Sequence, residues 1–166
     1  MKITRSKLKI AVITVSDRCF QKEKEDKSGP AIKEIVKNLG EVVNSRIIPD
    51  EKKLISNVLK EMIDCHKVDI VFTTGGTGLS SRDVTPEATK EVLEKEIPGF
   101  GELMRQESFK FTPMAIISRA TAGTRKKSLI INLPGSPKAV KECLNIILPV
   151  LPHALDIVRD YRGHDE

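Results

Sequence analysis

Two aspartates, Asp50 and Asp83, occupy polar loops in which a carboxylate could assist the transfer of a phosphate group. Asp83 follows the sequence TTGGTG, residues 73–78, called here the glycine loop. Its glycines allow positive φ angles and a close approach of backbone N–H groups to a bound anion, and its threonines add hydroxyl groups. A carboxylate beside such an anion suits a divalent cation held between the two. The loop matches neither GxGxxG nor GxxxxGK[ST], so the usual nucleotide motifs do not apply to it.

The glycine loop needs rigid elements on both sides, and the surrounding residues predict them. Residues 68–72 form a short apolar segment, which is typical of an interior strand that ends in the first two residues of the loop. Thr85 is a good N-cap and Pro86 is a good first helical residue. We therefore predict a helix from Pro86 to about Glu96, with its positive end directed towards the glycine loop.

The rest of the chain alternates between strands and helices in the same way. Apolar runs predict further strands at residues 9–15, 41–48 and 128–133, and helical patterns predict helices at residues 30–39, 51–63, 102–108 and 137–147, continuing or resuming over 151–161. Residues 114–118 fit either a strand or a short helix, because five residues show too little periodicity to decide. This alternation predicts a three-layer α/β/α sandwich with a mostly parallel sheet, in one domain comprising residues 1–166.

Polar or glycine-rich segments follow four of the predicted strands. They are Ser16-Asp17, Asp50, the glycine loop with Asp83, and residues 134–137 with Asn132 just before them. Parallel strands place all four at one edge of the sheet, where α/β proteins bind their ligands. Turns after strands are rich in glycine and proline in proteins of every function, so purely structural roles stay open. Asp50 could cap the helix that begins near Glu51, and Asp83 could brace the turn before Thr85.

Composition favours a small anionic ligand. The chain has 166 residues, a net charge of +5 and a pI near 9.1, which favours anionic partners. One tyrosine, five phenylalanines and no tryptophan provide no aromatic platform for nucleic acid, so we expect no nucleic-acid partner. The compact basic cluster at residues 125–127 fits either a charged turn before a strand or a phosphate contact.

Cysteine usage and hydropathy exclude other classes of protein. Cys19, Cys65 and Cys143 are widely separated and lack CxxC spacing, which indicates neither a disulfide framework nor a zinc site. No apolar run reaches the length of a membrane span, and the N-terminal residues do not resemble a signal peptide. We therefore expect a cytoplasmic protein without a membrane partner.

Six motifs in order along the chain resemble the molybdopterin adenylyltransferases of molybdenum cofactor synthesis. They are VSDR at 15–18, IPDE at 48–51, TTGGTG at 73–78, SSRDVTPEAT at 80–89, IPGFGELMR at 97–105 and LPGSPKAVKECL at 133–144. The resemblance implies a Rossmann-like fold and transfer of AMP from magnesium-bound ATP to the terminal phosphate of molybdopterin, with release of pyrophosphate. It also implies a homotrimer that hands its product to a molybdenum-insertion protein. The alternative is a non-catalytic molybdopterin-binding or scaffold protein, as in gephyrin, although the RDVTP sequence at 82–86 favours the transferase.

The resemblance also implies roles for individual residues. Asp50 and Asp83 match the two functional aspartates of the family, as magnesium ligands or as groups that position the reacting phosphates. The residues implied to contact nucleotide or pterin are Ser16, Asp17, Thr74, Gly75, Gly76, Thr77, Gly78, Ser118, Asn132, Pro134, Gly135 and Lys138. Lys138 stands in the first turn of a predicted helix, where a cation opposes the helix dipole. This position fits either a nearby anionic ligand or an ordinary surface lysine.

Overall fold

The structure, a computed structural model, describes residues 7–160. The predicted single domain and the end of the last predicted helix at Tyr161 both extend outside the described residues. Its strands are β1 (Leu8–Val15), β2 (Gly40–Ile48), β3 (Ile70–Thr74), β4 (Lys95–Glu96), β5 (Ala122–Arg125) and β6 (Ser128–Leu133). Its α-helices are α1 (Asp17–Phe20), α2 (Ser28–Val36), α3 (Lys52–Asp64), α4 (Thr85–Lys90), α5 (Pro98–Phe109), α6 (Pro137–Ile147) and α7 (Leu151–Val158), and short 3-10 helices cover Pro113–Ile117 and Leu148–Val150.

The six strands form one mostly parallel sheet in the order β2-β1-β3-β6-β5-β4. The first four strands in this order are parallel, and β5 and β4 are antiparallel to their neighbours. The predicted α/β fold with a mostly parallel sheet is therefore confirmed. The second strand in the sequence, which is more polar than the others, lies at one edge of the sheet.

Helices cover both faces of the sheet because the interior strands are apolar on both sides. In β1, Ile10 and Val12 pack with α2, α5, α6 and α7, whereas Ala11 and Ile13 pack with α3 and α4. The helices supply matching apolar stripes. In α6, Val140, Cys143, Leu144 and Ile147 recur at helical spacing and are all buried. This arrangement is the three-layer sandwich expected from the sequence.

Two parts of the predicted secondary structure were wrong. The helix that begins after Val84 ends at Lys90 rather than near Glu96, because Lys95–Glu96 pairs with β5 as an antiparallel strand. The sequence AGTR of β5 was not predicted as a strand, since it contains no apolar run and depends on the hairpin with β6. Residues 114–118, which were left between strand and helix, largely form the 3-10 helix Pro113–Ile117.

The helices of this fold do not resemble membrane spans. Within residues 7–160, none of them combines the length and apolar character that crossing a bilayer requires.

Candidate active site

The carboxyl ends of the parallel strands bring the predicted aspartates to one edge of the sheet. Val15, the last residue of β1, lies beside Ile48 at the end of β2, and Thr14 lies beside Thr74 at the end of β3. The loops that carry Asp17, Asp50 and Asp83 therefore begin side by side. All three aspartates are half-buried there.

Asp17 and Asp50 hold each other in place. The N–H of Asp17 donates to Oδ2 of Asp50 at 2.9 Å, and the N–H of Asp50 donates to Oδ1 of Asp17 at 2.9 Å. Asp50 does not cap α3, because the N-cap residue is Glu51 and it makes no side-chain capping bond. The alternative that Asp50 serves as a helix cap is therefore wrong. Burial raises the pKa of Asp50, and the like charges of Asp17 and Asp83 add to this effect.

Arg82 is the cation that faces these carboxylates. Its Nε donates to Oδ2 of Asp17 at 2.9 Å and its Nη2 donates to Oδ1 of Asp17 at 3.0 Å. The hydrogen bonds from Arg82, and then the one from the backbone of Asp50, hold the pKa of Asp17 below its ordinary value. The net charge of the Asp17, Asp50, Asp83 and Arg82 side chains, three carboxylates and one guanidinium group, is −2 when all are ionised. One divalent cation would balance it.

The glycine loop packs directly against the aspartate loops. Gly75 and Gly76 have φ angles of 97° and 67°, which favour glycine. A Cβ atom on Gly75 would lie 2.2 Å from the carbonyl oxygen of Val15. A Cβ atom on Gly76 would lie 2.2 Å from Oγ1 of Thr85 and 2.9 Å from Oδ1 of Asp50. Only residues without side chains allow the loop to approach these neighbours so closely.

The carbonyl groups of the glycine loop are used inside the protein. The oxygen of Gly76 accepts from the N–H of Thr85 at 3.1 Å, and the oxygen of Thr77 accepts from the N–H of Arg119 at 2.9 Å. The oxygen of Gly78 accepts from Nε of Arg119 at 2.8 Å. These three acceptors are occupied and are therefore not directed at a ligand.

The start of α4 differs from its prediction by one residue. Val84 is the N-cap and Thr85 is the first helical residue, so Thr85 does not cap the helix. The hydroxyl of Thr85 is buried beside Gly76 and makes no hydrogen bond within the described residues 7–160. The N–H of Thr85 bonds to the carbonyl oxygen of Gly76, so the start of α4 lies against the glycine loop as predicted, although the helix has only six residues.

Asp83 braces the turn that it closes. Its Oδ2 accepts from the N–H of Ser80 at 2.9 Å, so the structural role left open in the sequence is present. The same Oδ2 lies 2.8 Å from where a Cβ atom on Gly78 would stand, which places the carboxylate over the glycine loop. The bond to Ser80 engages one carboxylate oxygen, and the second oxygen can bind another group.

The loop after β6 closes the same edge of the sheet. Oγ1 of Thr74 donates to the carbonyl oxygen of Pro134 at 2.7 Å, and the N–H of Gly75 donates to that of Leu133 at 3.3 Å. A Cβ atom on Gly135 would lie 3.4 Å from Cα of Gly75. Thr74, Gly75, Pro134 and Gly135 therefore lie together, as the parallel strand arrangement predicted.

Asn132 lies inside the protein. Its side chain is fully buried, and Nδ2 donates to Oγ1 of Thr73 and to Oγ1 of Thr89, both at 2.9 Å. Its Oδ1 accepts from the N–H of Thr121 at 3.3 Å. The structure does not bring Asn132 to the ligand side of the site. It links β3, β6 and α4 instead.

Three further predicted contacts occupy different positions. Oγ of Ser16 accepts from the N–H of Cys19 at 3.2 Å and caps α1. Ser118 lines a cavity of about 210 Å³ between α5, the 3-10 helix Pro113–Ile117 and α6, and Pro134 forms part of the same wall. The side chain of Lys138 is 84% exposed, with Nζ 4.0 Å from Oε1 of Glu142. Ser118 therefore connects the edge of the sheet to a cavity, whereas Lys138 faces away into solvent.

Comparison with known proteins shows the family to which the chain belongs. A family model described as a probable molybdopterin binding domain matches residues 11–153. The chain belongs to this molybdopterin-binding family.

Individual relatives cover most of the chain. It is 48% identical over 154 residues to the molybdopterin adenylyltransferase of Helicobacter pylori strain J99, covering 90% of this chain and 86% of that protein. The molybdopterin adenylyltransferase of Escherichia coli K12 is 45% identical over 140 residues, covering 82% of this chain and 72% of that protein. Among solved structures, the molybdopterin biosynthesis enzyme MoaB from Thermus thermophilus superposes with a TM-score of 0.86 at 46% identity, covering 92% of this chain and 97% of that chain.

Two arginines of this molybdopterin-binding domain were not among the predicted site residues. Arg82 belongs to the RDVTP sequence but was assigned no role there. Its position next to Asp83 could have indicated that it lies in the site. Arg119 bonds to the glycine loop from a distant part of the chain. No local pattern around Arg119 indicates this contact.

The donor set of this domain fits a magnesium ion that is completed by its substrate. Within residues 7–160, no group of three or more His, Cys, Asp or Glu side chains is arranged to hold a metal ion. Magnesium commonly binds one or two carboxylates and takes its other ligands from water and substrate phosphates. Asp50 and Asp83, with the excess negative charge and the unpartnered hydroxyl of Thr85 nearby, fit that form of binding.

Proposed function

We propose that the chain transfers the adenylyl group of ATP to molybdopterin, giving adenylylated molybdopterin and pyrophosphate. The observation that carries the proposal is the convergence of Asp17, Asp50 and Asp83 on a glycine loop in which the carbonyl groups of Gly76, Thr77 and Gly78 are already hydrogen-bonded. Such a site has backbone donors for phosphate oxygens and carboxylates for a divalent cation. The names of the relatives at 45% and 48% identity support the same reaction.

The reaction joins a terminal phosphate oxygen of molybdopterin to the α-phosphorus of ATP. The bond from that phosphorus to the oxygen bridging it to the β-phosphate breaks, and pyrophosphate leaves with the bonding electrons. A phosphate monoester is mostly ionised at neutral pH, so the nucleophile needs no general base. The task of the protein is therefore to align the two phosphate groups and to offset their repulsion.

The residues of the chain divide this task between them. The glycine loop beyond Thr74, which is itself bonded to Pro134, would offer donors from Gly76, Thr77 and Gly78 to the phosphate oxygens. Asp17, which Arg82 holds in place, fixes the position of Asp50, and Ser16 caps the helix that follows β1. Asp50 and Asp83 would hold magnesium, which when bound supplies positive charge to the phosphates. Ser118 and Pro134 line the cavity, which is the place we propose for part of the pterin. Gly135 lies between this cavity and the glycine loop, next to Gly75.

We propose that the protein works as a homotrimer. Five apolar side chains, each at least 47% exposed, lie close together in the sequence at the end of α5 and in the 3-10 helix that follows. This apolar patch comprises Phe109, Phe111, Met114, Ile116 and Ile117. Contact with a second copy would remove it from water. We place the protein in the cytoplasm, and a molybdenum-insertion protein is the proposed recipient of the product.

Pyrophosphate release tests the proposed reaction directly. Purified protein is given molybdopterin and magnesium ATP, with Asp50→Ala and Asp83→Ala assayed beside it. Glu41→Ala is the control, because Glu41 is an exposed carboxylate at the opposite end of β2. We expect release that requires molybdopterin, is lost in both aspartate variants and is unchanged in the control.

Binding measurements separate the transferase from a scaffold protein. Molybdopterin binding without pyrophosphate release in the parent protein would favour the non-catalytic alternative. We expect Asp83→Ala to bind molybdopterin nearly as well as the parent, since its carboxylate acts on the transfer step. Absence of both binding and release would overturn both functions.

A further inference from the structure

We propose that Arg119 is a positioning residue that sets the shape of the glycine loop and the orientation of Asp83. Arg119 lies between the 3-10 helix Pro113–Ile117 and β5, about 40 residues after the loop. The predicted effect of Arg119 on activity rests on the proposed function. The hydrogen bonds of Arg119 to the glycine loop do not depend on it.

The guanidinium group of Arg119 bonds to both ends of the turn that carries Asp83. Its Nε donates to the carbonyl oxygen of Gly78 at 2.8 Å, and its Nη2 donates to that of Asp83 at 2.7 Å. The backbone N–H of Arg119 adds a third bond, to the carbonyl oxygen of Thr77 at 2.9 Å. One residue thus fixes the loop before the turn and the backbone at its end. An arginine can do this because its donors are held in a rigid plane.

Glu87 keeps this guanidinium group in place. Oε1 of Glu87 pairs with Nη1 of Arg119. Burial alone would raise the pKa of Glu87, but its bond to Arg119 contributes to a net lowering. Glu87 stands in the first turn of α4, so the ion pair also ties the turn to the helix that follows it.

A second arginine connects the same segment to the cavity. Nη1 of Arg105 donates to the carbonyl oxygens of Ser118 at 3.2 Å and Ala120 at 3.1 Å. Residues 118–120 are therefore held by α5 on one side and bonded to the glycine loop on the other. Arg105 therefore supports the segment from which Arg119 reaches the turn that carries Asp83.

The test compares Arg119→Ala and Arg119→Lys with Arg125→Ala. Arg125 is a matched control, since its guanidinium group also joins a carboxylate, Asp64, and a backbone carbonyl, that of Val92. Lysine keeps the charge at position 119 but cannot reach the two carbonyl groups and Glu87 together. Pyrophosphate release and amide hydrogen exchange over residues 76–83 are measured in each protein, with and without millimolar guanidinium chloride.

We expect kcat/KM for magnesium ATP to fall by about 10–100-fold in both Arg119 variants, as is typical when a group that orients a ligand-binding side chain is lost. We also expect faster exchange over residues 76–83, and guanidinium should partly restore both activity and protection in Arg119→Ala. Arg125→Ala should keep the parent values at the glycine loop.

The outcomes distinguish a failure of the role proposed for Arg119 from a failure of the proposed reaction. Full activity and unchanged exchange in Arg119→Lys would overturn the role of Arg119. An inactive parent protein would instead count against the proposed function, while the exchange measurements would still decide the structural role. If Arg119→Ala fails to fold, Arg119→Lys decides the question, because it keeps the positive charge opposite Glu87.

Discussion

Asp17 fixes the position of Asp50 through hydrogen bonds but does not neutralise its negative charge. The two residues exchange backbone hydrogen bonds through their carboxylates, so each fixes the other while both side chains carry the same charge. Burial raises the pKa of Asp50 and the like charge of Asp17 adds to this, although the hydrogen bond from the backbone of Asp17 acts in the opposite direction. The hydrogen bonds from Arg82 lower the pKa of Asp17. The ligand-free protein thus keeps an unfavourable charge at the site, as expected where a cation and phosphate groups are to be bound.

Replacing Asp50 by Asn should raise stability and abolish turnover. The folded pKa of Asp50 lies above its ordinary value of 3.8, so its stabilising contribution is present below that value and is lost as the pH rises through the folded pKa. At pH 7, Asp50→Asn should therefore unfold at a higher temperature than the parent protein. The gain should vanish in acid, where Asp50 is protonated. Melting curves from pH 3 to 8 check this, and a less stable variant at pH 7 would contradict it.

Replacing Arg82 by Gln should raise the pKa of Asp17. The two hydrogen bonds from Arg82 are the main cause of its low pKa, and only the bond from the backbone of Asp50 would remain. Carbon-detected NMR titration of the aspartate carboxyl groups measures the change. Arg18→Gln is the control, since Arg18 is exposed next to Asp17 and makes no bond to its carboxylate within the described chain. An unchanged Asp17 titration in Arg82→Gln would show that the ion pair does not persist in solution.

Replacing Gly76 by Ala should damage both the fold and the site. The added Cβ would stand 2.2 Å from Oγ1 of Thr85, at a φ of 67° that disfavours side chains. We expect a loss of about 1–3 kcal/mol in unfolding free energy, together with lower turnover. Gly99→Ala is the matched control, because nothing lies within 4 Å of its added Cβ. Urea unfolding of the two variants should separate them, and equal stabilities would argue against the tight packing of the glycine loop.

Replacing Asp64 by Asn should weaken the protein at neutral pH but not in strong acid. Hydrogen bonds from Arg125 and Lys126 lower the pKa of Asp64 from 3.8 to about 2. Its stabilising contribution is therefore present above the unfolded pKa and disappears as the pH falls through about 2. Melting temperatures of parent and variant should differ at pH 6 and converge between pH 4 and pH 2. A difference that persisted at pH 2 would show that packing, rather than charge, explains the effect.

Replacing Ile116 by Ser should break up the proposed trimer. Ile116 is 66% exposed in the apolar patch, and its burial in an interface would contribute about 1.5–3 kcal/mol per subunit. Light scattering at micromolar concentration should show a shift towards monomers. Ile157→Ser is the control, since Ile157 is 63% exposed on α7, outside the patch. Equal masses for both variants and the parent would exclude the patch as the trimer interface.

The sequence predicted the parallel core of the fold because that core repeats a simple physical pattern. β1, β3 and β6 are buried on both faces, so their apolar runs were recognisable, and the helix at residues 137–147 was predicted with its observed limits. β5 was missed because its sequence has no such run, and it is a strand through its pairing with β6 on one side and β4 on the other. The helix after Val84 was extended too far for a similar reason, since pairing of Lys95–Glu96 with β5 ends it.

Site residues that directly follow the ends of strands could be predicted from the sequence. Residues whose positions depend on contacts with distant parts of the chain could not. The convergence of Asp17, Asp50 and Asp83 required only that the strands be parallel. Asn132 was expected beside a ligand, yet its hydrogen bonds to Thr73 and Thr89 could not be inferred from the local sequence. Arg119 was missed because its partners, the carbonyl oxygens of Gly78 and Asp83 and the carboxylate of Glu87, lie at least 32 residues away in the sequence.

The hydrogen bond from Thr74 to Pro134 joins residues 60 positions apart, and this separation affects how the site forms during synthesis. A ribosome adds roughly 5–20 residues per second, so Thr74 leaves the peptidyl-transferase centre about 3–12 seconds before Pro134 does. Arg119, which donates to the carbonyl oxygens of Thr77 and Gly78, is also synthesised after the glycine loop. The candidate site is therefore completed late in translation, after most of the domain has been made.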